Sequence, residues 1–196
     1  MIERRKTKGG VKMAKTKYIV FTADVQHVQS ARLKQAITDC VNQKYEELYF
    51  LISSGGGNVF EGLSLAAYIS ALPMKTIMYN IGQIDSVATA IFASGKERIG
   101  SKNASFMFHG ITMTLPAANY LESQLKEIYD GTVRSKKDIA RAISTYSGIQ
   151  LKDIESLMID GGVILTAEQA KDRGFISSIV EPAIPSNADI INISNI

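Results

Sequence analysis

ELYFLISSGGGN, Glu47 to Asn58, passes from a nearly continuous apolar run into a string of serines and glycines. An apolar run of this length, Glu47 to Ser53, is the pattern of a strand covered on both faces. The glycines that end it open into a helical pattern from Val59 to Ala71, so the stretch reads as strand, tight turn, helix. The same alternation extends outward. Lys17 to Ala23 (KYIVFTA) reads as a strand, and Ser30 as the cap of a helix reaching Asn42 with Leu33, Ile37 and Val41 on one face. Lys75 to Tyr79 (KTIMY) is a further strand, followed by a helix from about Val87 to Gly95. ERIGSKNASFMFHG supplies two short strands around a turn at Ser101 to Asn103. Beyond a loop near Leu115 and Pro116, a helical pattern runs from about Ala117 to Tyr146; it either breaks near Gly131 or projects and pairs with another subunit. A helix (Leu151 to Met158), a DGG loop, a short helix (Ala167 to Lys171) and the strand FISSIV close the chain. Strands alternating with helices predict an α/β fold with helices covering a largely parallel sheet.

Composition narrows the function. At 196 residues the chain suits one domain, and 45% hydrophobic with 21% charged residues is ordinary for a globular protein. The net charge of +3 conceals a basic arm: residues 1–17 hold seven Lys/Arg against one Glu, which leaves the remainder at −3. The arm reads as a solvated tail rather than a nucleic-acid or membrane contact, lacks the apolar core of a secretory signal, and contains Met13 as an alternative start. No apolar run approaches the roughly 20 residues a membrane helix needs. Cys40 has no partner cysteine and reads as a buried thiol; with only His27 and His109, no zinc site is expected. SGKER (Ser94 to Arg98) fails as a phosphate loop, because Ala90 stands where the first glycine belongs and Glu97 follows the lysine.

Three features converge on one chemistry. SSGGG (Ser53 to Gly57) can turn backbone amides toward a developing anion, or can simply be a tight turn. In NIGQIDSVATAIFASG (Asn80 to Gly95), Ser86 stands where a strand gives way to a helix, as a cap or as a nucleophile. His109 closes the apolar strand SFMFH, 23 residues downstream. Parallel strands deliver their C-terminal ends to one sheet edge, where α/β sites form. A serine hydroxyl needs a base to take its proton and N–H donors to hold the oxyanion.

These pieces resemble the proteolytic subunit of the Clp protease, across about Tyr18 to Val180. LISSGGGNVFEGLSLAAYI matches the family's glycine segment, NIGQIDSVATAIFASG its nucleophile segment, NASFMFHG its histidine segment, and TAEQAKDRGFISSIV its closing helix and strand. The resemblance implies a Clp/crotonase-type α/β spiral of β-β-α units with a long projecting handle helix. It implies a serine endopeptidase that cleaves peptides or unfolded proteins inside a homo-oligomer of stacked rings, with no cofactor and no metal. It carries the nucleophile onto Ser86, the base onto His109, and the oxyanion donors onto the backbone N–H groups of Gly57 and Val87; a one-residue slip would move the first to Gly56. A Clp-type ATPase unfoldase is the candidate partner, with weak or altered coupling because the basic arm stands where the family has axial loops. Neither membrane nor nucleic acid is expected as a partner, and the location expected is cytoplasmic. Residues 1–17 would be a flexible arm, 18–181 the peptidase domain and 182–196 a loosely ordered tail.

The chain departs from the family's pattern where chemistry is close. Asp85 and Ala88 replace the usual alanine before and glycine after the serine, and Gly55 replaces a proline. A carboxylate beside the nucleophile opposes oxyanion development unless turned away or neutralised; Asp85 is therefore read as a residue that caps or tunes. The glutamine and proline that often follow the histidine are absent from GITMTLP (Gly110 to Pro116). For the triad acid, Gly162 occupies the family's position, and Asp160, displaced by two residues, is either the acid or a turn residue before Gly161. A crotonase-type acyl-CoA enzyme and a catalytically inactive ring subunit are the alternative functions.

Overall fold

The computed structural model describes residues 14–195. Most of the basic arm expected at residues 1–17, Met13 included, lies outside them. The apolar run around Phe50 is a strand buried among neighbours, β2 (Glu47–Ser54). Its partners on either side are β1 (Thr16–Thr22) and β3 (Lys75–Asp85), both parallel to it. Each connection carries a helix: α1 (His27–Asn42) between β1 and β2, and α2 (Val59–Ser70) between β2 and β3. The expected cap at Ser30 lies one turn inside α1. That helix starts at His27 with no side-chain cap, and Ser30 is buried in its first turn. Asn58, by contrast, caps α2 by accepting from the Glu61 N–H at 3.1 Å.

β3 is eleven residues long, twice the length expected from KTIMY, and it changes neighbours along its course. Ile77 to Asn80 pair with β4 (Glu97–Gly100), while Gln83 to Asp85 pair with β5 (Ser105–Phe108). The two short strands flanking the turn at Ser101 thus both join β3, in parallel, and not each other. A register shift between Ile52 and Ser54 marks the changeover. Buried Asn80 holds it: its amide donates to Ser105 O at 2.8 Å and its carbonyl oxygen accepts from Gly82 N–H at 2.8 Å. Beyond it, α3 (Ala88–Ala93) leads from β3 toward β4.

The long helical pattern resolves as one unbroken helix, α4 (Glu122–Ser147), which starts later than Ala117 and passes through Gly131 without a break. Gly148 stops it in the left-handed conformation, φ +79°. Only its C-terminal half is buried, through Ile139, Ala140 and Ile143. In its N-terminal half Leu125 is 45% and Tyr129 66% exposed, and the preceding Leu121 is 69% exposed. α5 (Leu151–Leu157) follows, then β6 (Val163–Thr166), α6 (Ala167–Asp172) and β7 (Ser178–Ile179). β6, which the sequence pattern did not reveal, pairs antiparallel with β5; β7 pairs parallel with β4. Four rings, Phe92, Phe106, Phe108 and Phe175, meet at centroid distances of 5.2–5.7 Å and lock α3, β5 and the segment after α6 together.

Part of the tail expected to be loosely ordered is paired in the sheet. Asp189–Ser194 forms β8, parallel to β1 at the sheet edge. Ile193 is buried and Ile191 half-buried on one face, and Asp189 accepts from Lys17 Nζ at 2.7 Å and from the Tyr45 hydroxyl. A polar composition hid an alternating strand with an open edge to join.

Candidate active site

β3 ends at Asp85 and α3 begins at Ala88, so Ser86 and Val87 are the whole of the turn between them. Ser86 has φ +56°, a left-handed conformation that a side-chain-bearing residue rarely adopts. Its N–H donates to Met107 O at 2.9 Å, and its carbonyl accepts from Thr89 N–H at 3.0 Å and from the Thr89 hydroxyl. The turn is over-determined from both sides. Backbone strain of this kind costs about 1–3 kcal/mol and persists only where the surroundings hold it.

The glycine loop comes up against that turn. A Cβ on Gly56, which has φ +87°, would lie 2.7 Å from Ser86 Cβ and 2.8 Å from Asp85 O. Only a residue without a side chain allows this approach. Gly57, at φ +144°, is pressed equally close to Val25, where a Cβ would meet the carbonyl oxygen at 2.6 Å. The Val25 N–H donates to Gly56 O at 2.7 Å and the Asn58 N–H to Val25 O at 2.7 Å, which clamps the loop. The Gly56 N–H is engaged by Ser54 Oγ at 3.2 Å. Among the described residues, no intramolecular acceptor takes the N–H of Gly57 or of Val87. Val87 is itself held by α2: a Cβ at Gly62 would fall 2.3 Å from a Val87 methyl, so the helix meets this turn through a glycine notch. Sequence reading missed that contact, because a single glycine inside a helical pattern carries no signal of what it faces.

The β3–β5 register ends with Asp85 paired to Met107, so Ser86 follows the end of β3 and His109 follows the end of the adjacent β5. His109 lines an open cavity of about 570 Å³ with Met107, Gly110, Thr112, Asp160 and Gly161 among its walls. The Gly162 backbone closes over His109: a Cβ there would lie 3.0 Å from His109 Cβ. Asp160 enters the same cavity but sits over Gly110, where a Cβ would meet its Oδ1 at 2.8 Å. Among the described residues no hydrogen bond joins Asp160 to His109, nor His109 to the Ser86 hydroxyl.

Asp85 does not cap α3, whose N-terminus has no side-chain cap bond. It is half-buried, and burial pushes its carboxyl above the ordinary value of 3.8, while the Met107 backbone and the charge of His109 pull it back down. The pairing that sets Asp85 beside Met107, two residues before His109, is what the sequence pattern did not show.

The Clp protease family model matches residues 3–183. The chain belongs to the Clp protease family. The ATP-dependent Clp protease proteolytic subunit 3 of Parasynechococcus marenigrum is 28% identical over 138 residues, 68% of this chain and 66% of that protein, just under two thirds of its length. A solved structure of a ClpP1 mutant from Listeria monocytogenes superposes with a TM-score of 0.73 at 18% identity, over 85% of this chain and 92% of that one. At that identity the likeness establishes the shared Clp-type α/β fold. Among the described residues, no helix is long and apolar enough to cross a membrane.

Proposed function

We propose that this Clp-family chain is a cytoplasmic serine endopeptidase that cleaves peptides or unfolded proteins within a ring-shaped homo-oligomer. One observation carries the reading: Ser86 is held at φ +56° against Gly56, with unengaged N–H groups on Gly57 and Val87 and with His109 at the next strand end. His109 takes the Ser86 proton as Oγ attacks the peptide carbonyl, and the electron pair displaced onto the carbonyl oxygen is held by the Gly57 and Val87 amides. His109 then returns the proton to the leaving amine, and water repeats the cycle on the acyl-enzyme. Asp160, two residues away from the family's position for the acid at Gly162, is the nearest aspartate to it in sequence. The acyl-CoA reading leaves Ser86 and His109 without a role.

The exposed row Leu121, Leu125 and Tyr129, spaced four residues apart on one face, supports a second copy of the chain as the cover of α4. A Clp-type ATPase is the partner such a ring would serve. The test is mass spectrometry after treatment with a fluorophosphonate: an adduct on Ser86, absent in Ser86→Ala and in heat-denatured protein, is the expected result. No adduct, or an adduct elsewhere, overturns the assignment.

A further inference from the structure

We propose that Asp85 is the positioning carboxylate of His109, the group that orients the imidazole and stabilises its protonated form; this rests on the peptidase reading above. The sheet register carries the argument. Asp85 and Met107 are direct partners in the parallel β3–β5 pairing, so their side chains share a face of the sheet. β5 ends at Phe108, and carrying its two-residue alternation one position further returns His109, two residues past Met107, to that face. The strained turn at Ser86 then swings the chain away, leaving Asp85 as the last side chain of β3 on the histidine's side.

The surroundings favour Asp85 over Asp160. The titratable groups placed near this end of β5 are Asp85, through its pairing with Met107, His109 itself, and Asp160 from the loop after α5; Asp85 is not among the cavity walls, and the walls named above other than His109 and Asp160 carry no charge. Asp85 is half-buried beside β5, with His109's charge among the influences that lower its carboxyl and, as for Asp160, no hydrogen bond to the imidazole among the described residues. Asp160 is exposed and seated over Gly110, one residue beyond the histidine. A charge pair is worth most where water is least able to screen it.

The arrangement also resolves the difficulty of a carboxylate beside a nucleophile. When Ser86 Oγ bonds to the carbonyl carbon, its proton moves to His109 and the displaced electron pair to the carbonyl oxygen. That proton makes His109 an imidazolium. It neutralises Asp85 in the step in which Asp85 would otherwise oppose the oxyanion.

The experiment is a ¹³C NMR titration of His109 in the full chain, which has only one other histidine, His27, removable as His27→Gln. Asp85→Asn should lower the His109 midpoint by about half a pH unit or more, and Asp160→Asn should leave it in place. With a fluorogenic peptide, the acid limb of the kcat/KM profile should move down with it, kcat falling about tenfold or more, and Asp85→Glu should restore part of both. The Asp85 carboxyl in the unaltered chain should show a second inflection at the His109 midpoint, which reads the pair without any substitution. A midpoint that moves with Asp160→Asn alone, or with neither, overturns the proposal, as does an Asp85 carboxyl blind to His109. Because the titration needs no turnover, a chain in which Ser86 proves unreactive would fail the peptidase reading and still report on the pair.

Discussion

Ser86 is the residue on which the local geometry converges, and its substitution separates chemistry from assembly. Ser86→Ala should abolish peptide hydrolysis and probe labelling while light scattering shows an unchanged particle. His109→Ala should lower kcat/KM by roughly 10³-fold or more, since a nucleophile and its base fail as a unit. Gly56→Ala should be as damaging for a different reason. The new methyl would need space held by Ser86 Cβ, 2.7 Å away, and would sit at φ +87°. Loss of activity with a lowered Tm by calorimetry is expected. Asp85→Asn should have the opposite effect on stability. Its native pKa lies above the ordinary 3.8, so folding favours the protonated carboxyl; that stability is complete at low pH and is lost as pH rises through the native value. Removing the charge should therefore raise Tm at pH 7 and leave it little changed well below pH 4, while kcat falls. An unchanged or lower Tm at pH 7 would argue against a desolvated carboxylate at this position.

At the scale of elements, two contacts set the site's frame. The α2 notch at Gly62 fixes Val87; Gly62→Ala should push the turn outward, cost about 1–3 kcal/mol by overpacking, and reduce kcat more than KM. β8 holds the other side of the sheet. The Lys17 ammonium and the Tyr45 hydroxyl keep the Asp189 carboxyl below its ordinary 3.8, and that bond in turn helps to raise the Tyr45 hydroxyl to about 12. A depressed carboxylate contributes stability above 3.8 that disappears as pH falls through its native value. Hydrogen exchange of the β8 amides should therefore accelerate as pH drops below about 4, after correction for intrinsic rates, and Asp189→Asn should show the fast pattern already at pH 7. Asp24 reinforces this edge, its N–H donating to Asn195 Oδ1 at 3.0 Å.

For the molecule as a whole, α4 is the element on which the proposed assembly turns. Half of a 26-residue helix extends past the body that its other half covers, and its apolar row faces outward. Leu125→Glu combined with Tyr129→Glu should reduce particle mass in light scattering with the far-ultraviolet circular dichroism of the subunit preserved. A monomeric unaltered chain at micromolar concentration would remove the ring from the proposed function.

What the sequence determined by itself is what local pattern encodes. Buried strands announce themselves by continuous apolar runs, as Glu47 to Ser53 did, and glycine clusters mark where chain direction reverses. The order of the four motifs was enough to place Ser86 at a strand-to-helix turn and His109 at a neighbouring strand end. Partner choice is not a local property. Lys17 and Asp189 are 172 positions apart, so nothing near Asp189 signals that an open edge of β1 awaits it. The second half of β3 was hidden because NIGQID has the polar, small composition of a loop; it is a strand because Asn80 and β5 satisfy its hydrogen bonds. The surroundings of Asp85 were likewise beyond reading in one dimension. Which strand lies beside Asp85 depends on β3 leaving β4 for β5, a pairing made by residues distant from it in the chain.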